Sequence, residues 1–416
     1  MKHLRIAPLA FLIGNAFAAP PLPPSTVTIE LGKGQTAKVT RRAGDTSPTV
    51  MITVNKGATV KVMEYVEMHG GLNADISGVL PSAFDAGSSE LRTRPTTEQP
   101  IPGDAAFRIV CGLVAFAWND PVVYPGQKGR SHLHSFFGNT GTDENSTAAS
   151  IANSGNSSCR GGIANRSAYW VPTMLDLRTN RPVPVGTFIA YYKGGEFAAI
   201  NGYGWAGTDA VWHQVTIADP VTGQQVSKFP GFSPLPAGLR MIAGDPNATA
   251  PRASGAPRTF RWKCSGGPNK QNTPGGDAIE NCDVGADLLQ EVFFPQCWDG
   301  KNLDSPDHKS HMSYSVQLPN KGDPRGWFHR ECPTTHPVVL PLITLNVSYR
   351  VTEKDEPMNW RLSCDQNGLA KPGGYCSHGD WFNGWKKDAS DAWLNGCIVA
   401  GKDCHAHLLG DGRQIF

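Results

Sequence analysis

Beyond residue 100 no long stretch keeps apolar residues at three- and four-residue spacing, and that absence confines the chain to a mainly β fold. Helix is expected only over two short segments, residues 286–292 and 389–395. Strand signals are frequent instead: an apolar run over 107–118, then 170–176, 187–193, 210–218, 260–264 and a Val/Ile/Leu-rich run over 338–351. The composition agrees, because 46 glycines, 33 prolines and only 18% charged residues suit many short strands joined by structured loops.

Ten cysteines, at 111, 159, 264, 282, 297, 332, 364, 376, 397 and 404, are dispersed with no Cys-x-x-Cys pair. In an exported chain they read as up to five disulfides rather than a zinc cluster. Export is expected from residues 1–19, where Lys2 and Arg5 precede an apolar run and Ala16-Phe17-Ala18 forms a small-residue cleavage site. That run is too short to span a bilayer, so a secreted or periplasmic protein without a membrane span is expected. The formal charge of +2 is that of Lys2 and Arg5, since residues 1–19 contain no acid. A near-neutral remainder argues against nucleic acid as a partner.

Residues 20–100 are expected to form a small β module and a linker. Alternating Val/Thr-rich segments run over 26–31, 36–41, 49–54 and 59–65, and a Gly/Pro/Ser-rich tract follows from 71 to 103. Residues 101–416 then make the main domain, a large disulfide-bearing β-sandwich or jelly roll.

The chemistry concentrates in loops. Residues 297–314 read Cys-Trp-Asp-Gly-Lys-Asn-Leu-Asp-Ser-Pro-Asp-His-Lys-Ser-His-Met-Ser-Tyr, which puts Asp304, Asp307, His308 and His311 beside Gly300 and Pro306. His132 and His134 lie two apart, so on an extended chain both imidazoles project from one face, a common way to supply two ligands to zinc, copper or iron. His336 follows Cys332-Pro333-Thr334-Thr335, and His378 and Asp380 flank Gly379. The competing reading makes Asp307 a self-capping turn residue and leaves one histidine of the pair buried and satisfied.

Four segments together resemble a known family. They are the Asp-Pro-x-x-x-Pro-Gly approach with its His-x-His, the Gly-Leu-Arg-Met-Ile-Ala-Gly-Asp-Pro segment, the 297–311 run, and Cys-Pro-Thr-Thr-His-Pro with the later His-Gly-Asp. Over roughly residues 105–405 the chain is similar to secreted fungal and bacterial proteins grouped as a domain of unknown function, nineteen-ninety-six in the series. The resemblance implies an extracellular, polysaccharide-rich setting and brings no catalytic residues with it.

The functional expectation is therefore a secreted carbohydrate-active enzyme, a hydrolase or lyase acting on a polysaccharide or glycan. Asp304, Asp307, His308, His311, His336, His378 and Asp380 are its candidate catalytic groups. Trp298, Tyr314, Trp381 and Trp385 are candidate sugar-stacking residues, and His132 and His134 the candidate ligands of a divalent metal, zinc or copper. The cleft is expected from loops 120–138, 299–314, 333–337 and 376–385. Replacing His308 or His311 is expected to abolish activity or metal content at nearly unchanged melting temperature. The alternative is a non-catalytic metal- or glycan-binding envelope protein.

Overall fold

The structure, a computed structural model, describes residues 72, 74–77, 85–103, 105–195, 231–319, 328–366 and 372–416. It also describes strands at 2–5, 25–31, 35–40, 51–54, 60–66, 203–205, 212–214, 216–218 and 225–227. The apolar run of the expected export signal lies outside the described residues, while Lys2–Arg5 pair antiparallel with Met51–Val54. Ser25–Leu31 runs between Gln35–Thr40 and Val60–Val66, so the Val/Thr alternation marked these strands within a residue or two.

The main domain is mainly β, as the missing helical period required. One sheet holds five antiparallel strands: β1 (Leu113–Ala117), β2 (His134–Gly138), β3 (Ala168–Pro172), β4 (Arg240–Gly244) and β5 (His378–Phe382), in the spatial order β4-β5-β3-β2-β1. A second sheet of eight strands is built around Phe260–Gly266, Ala286–Phe293, Leu342–Arg350, Phe188–Lys193 and Ala106–Cys111. Tyr169, Val171, Met241 and Trp381 from the first sheet share one apolar core with Val292, Leu345 and Val347 from the second. Gly379 marks a close approach between the sheets. A Cβ there would lie 3.2 Å from the side chains of Leu345 and Val292, so a larger residue would push β5 away from the core.

Because successive side chains alternate across a strand, the other face of the five-stranded sheet carries His134 and Phe136 of β2, Trp170 of β3, Ile242 of β4, and His378, Asp380 and Phe382 of β5. Phe136 pairs with Trp170, Trp170 with Asp380, and Asp380 with Ile242, so these side chains form one row. Val122, Ile151 and Phe382 extend its apolar part into a second, smaller core. The polar site stands at one end of that core.

Three expectations about the fold need correction. Residues 286–292 are a central strand, not a helix: Ala286–Phe293 is hydrogen-bonded on both sides, and its burial alternates over most of its length. Ladder bonds to two neighbours outweigh the helical preference of a short Ala/Leu-rich run. Helix is not confined to the two expected segments, since Ala148–Asn153 forms one, capped by Thr147. The supposed linker is stitched to the main domain, since Thr93–Pro95 pairs with Arg413–Ile415 and Ile101–Pro102 with Lys402–Asp403. A boundary at residue 100 would cut the first of these pairings.

The last α-helix, Lys387–Trp393, begins two residues before its expected place and runs on into a π-helical segment, Leu394–Val399. All ten cysteines are paired: 111–159, 264–282, 297–332, 364–376 and 397–404.

Candidate metal centre

His134 begins β2, His378 begins β5, and His132 lies two residues before His134, so strands two places apart in the sheet deliver three imidazoles to one point. The Nε2 of His378 is 3.1 Å from that of His132 and 3.4 Å from that of His134. The far side of two rings fixes their tautomers. His134 Nδ1 donates to the carbonyl of Asn119 at 3.0 Å, and His378 Nδ1 to the carbonyl of Cys376 at 2.7 Å. A carbonyl oxygen can only accept, so both protons sit on Nδ1 and both Nε2 atoms of the neutral rings present lone pairs.

Burial holds these rings neutral, reinforced at His132 and His134 by the neighbouring imidazoles and at His378 by the Lys309 charge. It takes His134 down to about 3 and His378 to about 4, and puts His132 well below the ordinary histidine value.

With His132 Nε2 unprotonated, lone pairs so close repel unless a cation joins them; a proton on that atom would instead be donated to His378 Nε2. Nitrogens bound tetrahedrally to one zinc at about 2.0–2.1 Å lie roughly 3.3 Å apart, close to the 3.1 and 3.4 Å that separate His378 Nε2 from those of His132 and His134. Imidazoles whose second nitrogen is tied to a carbonyl are the usual oriented ligands of zinc or copper. The residues present therefore fit a divalent ion held by His132, His134 and His378.

Asp380 and Asp120 adjoin this centre. Their carboxylate oxygens and a nitrogen of His134 all lie within 4.8 Å of one another. Asp120 Oδ1 accepts from the backbone N–H groups of Val122 and Val123, both at 2.9 Å. Neither oxygen of Asp380 has a hydrogen-bond partner among the described residues, although the residue is only 1% exposed. Burial, with the neighbouring Asp120 charge, pushes Asp380 well above the carboxylate range. Burial raises Asp120 to about 6 against its two N–H donors.

The sign of the pH effect follows. In the metal-free protein folded Asp120 keeps its proton to about pH 6, whereas the unfolded chain releases it near pH 3.8. Stability from this group is full below the lower value and is lost as the pH rises through the higher one. The three imidazoles act in the opposite sense, so the difference between parent and variant is what must be read. In urea unfolding across a pH series, Asp120→Asn is expected to gain stability relative to the parent as the pH rises from 4 towards 6, the interval set by Asp120. A constant difference would contradict the assignment.

The centre opens on a pocket of about 230 Å³ lined by His132, His378, Asp120, Asp380, Asp307 and His308, with Lys309, Arg130, Tyr124, Asp245, Asn247 and Gln366 among its other walls. The loop of residues 299–314 forms one side. Asp299 Oδ1 accepts from the N–H groups of Lys301 and Asn302, and Asp307 Oδ1 from Ser305 Oγ and the N–H groups of Lys309 and Ser310. These donors hold Asp307 far below the ordinary carboxylate value. Asp304 bridges Arg240 Nη1 and His308 Nδ1, both at 2.9 Å, and so ties the loop to β4.

The structure thus gathers His132, His134, His378, Asp380, His308 and Asp307 of the sequence-derived candidates and leaves the others elsewhere. Asp304 supports His308 from outside the pocket. His311 is 1% exposed, donates from Nε2 to the Arg240 carbonyl at 2.7 Å and has Nδ1 2.9 Å from Ser305 Oγ. His336 donates from Nε2 to the Ser310 carbonyl and contacts Thr335 through Nδ1. Both act as brackets of the loop.

Trp381 and Trp385 belong to the buried core, Trp298 donates to the Asn302 carbonyl and packs on that core, and Tyr314 donates to the Phe293 carbonyl. None of the four lines the pocket, so they provide no stacking platform in it. Sequence reasoning passed over Asp120, Asn119, Arg130 and Lys309. The one available signal was Asp120-Pro121, with Asp120 twelve residues before the first of the paired histidines, His132.

The bracket role of His311 reverses the expectation attached to it. His311→Ala should lower stability by about 1–3 kcal/mol, the cost of unpaired buried partners, and leave metal content intact. Thermal unfolding and metal analysis of the variant check this, and a metal-free but fully stable variant would refute it.

Residues 120–385 match the family described as Domain of unknown function (DUF1996). The chain belongs to this family. The match is narrower than the 105–405 expected, yet it begins at Asp120 and ends just beyond Asp380, so the three imidazoles, both acids and every pocket residue of this DUF1996 protein fall inside it. No curated protein and no solved structure matches the chain.

Proposed function

We propose that this DUF1996 protein is a secreted metal-dependent enzyme, a hydrolase or lyase acting on an extracellular polysaccharide or an oligosaccharide derived from one. The observation that carries the reading is the set of three neutral imidazoles beside an open pocket, with the Nε2 atoms of His132 and His134 at 3.1 and 3.4 Å from that of His378. A divalent ion there supplies a Lewis acid and acidifies a bound water.

Asp380, with two unpartnered oxygens next to His134, is the group that exchanges a proton, one it holds in the metal-free protein, and His308 stands at the pocket wall as its counterpart. The Asp120 and Asp380 oxygens are within 4.8 Å, closer than the roughly 5–10 Å that separates two carboxyls flanking a glycosidic bond. A metal-assisted reaction therefore suits the site better than a two-carboxylate glycosidase.

Export is supported by five disulfides, and no helix among the described residues is long and apolar enough to cross a membrane. A panel of cell-wall and extracellular polysaccharides incubated with zinc- or copper-loaded protein tests the proposal. New reducing or unsaturated ends that vanish in chelator are expected. Turnover undiminished in chelator would refute the metal role, and bound metal with no turnover would leave a binding protein.

A further inference from the structure

We propose that Arg130 and Lys309 form a subsite for the carboxylate of an acidic sugar, so that the substrate is a uronate-containing saccharide. The inference rests on the reading of the pocket as a substrate site and adds the charge of what enters it. Both cations line the pocket. The backbone N–H of Arg130 donates to the Gln127 carbonyl, but its side chain makes no hydrogen bond among the described residues: Nε is buried without a partner and the guanidinium lies 5.8 Å from the Tyr124 ring centroid.

An arginine held against an aromatic face with its N–H fork unused is prepared for a planar two-oxygen acceptor. Lys309 Nζ gives one hydrogen to the Gly244 carbonyl at 3.0 Å and has two left.

No carboxylate among the described residues lies within ion-pair distance of either cation, although four acids share the pocket. Three of these are already engaged through Oδ1: Asp120 with Val122 and Val123, Asp245 with Asn247, and Asp307 with Ser305, Lys309 and Ser310. The fourth, Asp380, adjoins the imidazoles. The two cations are therefore without an ion-pair partner among the described residues.

The space of about 230 Å³ lies below the roughly 300–1,000 Å³ of pockets for drug-sized ligands, which leaves room for one sugar ring at a time. Both the charge and the size suit a single uronate residue of a chain.

Calorimetry of the zinc-loaded protein with a uronate oligosaccharide, its carboxyl-reduced neutral counterpart and a sulfated oligosaccharide tests this. The uronate ligand should bind about tenfold or more tightly than the reduced one, and Arg130→Gln and Lys309→Met should each remove most of that difference. Zinc content and melting temperature should not change in either variant. Equal affinity for the reduced saccharide, equal affinity for the sulfated one, or variants without effect would overturn the carboxylate assignment. A protein that holds no zinc yet binds uronate through Arg130 would defeat the metal reading and leave this subsite standing.

Discussion

His378→Ala should strip the protein of its metal. His378 is the shared neighbour in the trio, with its Nε2 at 3.1 Å and 3.4 Å from those of His132 and His134. Loss of an outer hydrogen-bond partner to a ligating histidine costs about 10–100-fold in metal affinity, so loss of the ligand itself should cost more than 100-fold.

The readout is thermodynamic as well as analytical. Ion at about a thousand times its dissociation constant stabilises a folded protein that binds it by about 4 kcal/mol. That increment should appear in thermal unfolding of the parent with added zinc and vanish in the variant. An equal zinc-dependent shift in both would place the ion elsewhere.

Trp381→Ala should cost about 3–5 kcal/mol of stability, the usual price of removing a large buried aromatic side chain. Trp381 is fully buried between the sheets, in a core shared with Trp385, Trp393 and Phe107. Trp385 is fixed further by its Nε1, which donates to Tyr192 Oη at 2.9 Å. A sugar-stacking tryptophan behaves differently, losing ligand affinity at unchanged stability. Denaturant unfolding of the Trp381 variant separates the two roles, and a stable protein with weakened saccharide binding would contradict the packing described here.

The residues legible in the sequence are those whose role depends on local geometry. His132 and His134 were readable because a spacing of two on an extended chain fixes their common direction. His378 and Asp380 were readable for the same reason, since Gly379 between them lets the strand press on the core while both project the other way. What a local reading lacks is the order of strands. Nothing near residue 134 reveals that β3 alone separates its strand from the one bearing His378.

Asp120 was missed because it sits in a Pro-rich turn, where carboxylates usually cap backbone N–H groups. It does cap two of them, while its carboxyl also meets Asp380 and His134. His311 and His336 misled in the converse way. Histidines in a polar loop suggest chemistry, yet in both a backbone carbonyl takes Nε2–H and a hydroxyl contacts Nδ1. The tryptophans beside cysteines followed the simpler rule that large aromatics in a disulfide-rich domain fill the core.

The most direct test of the metal centre is anomalous diffraction, at the zinc and copper absorption edges, from crystals of the protein loaded with each ion. The account predicts a single peak equidistant from the Nε2 atoms of His132, His134 and His378, at about 2.0–2.1 Å from each. No peak at that point, or a peak only beside other residues, would contradict it.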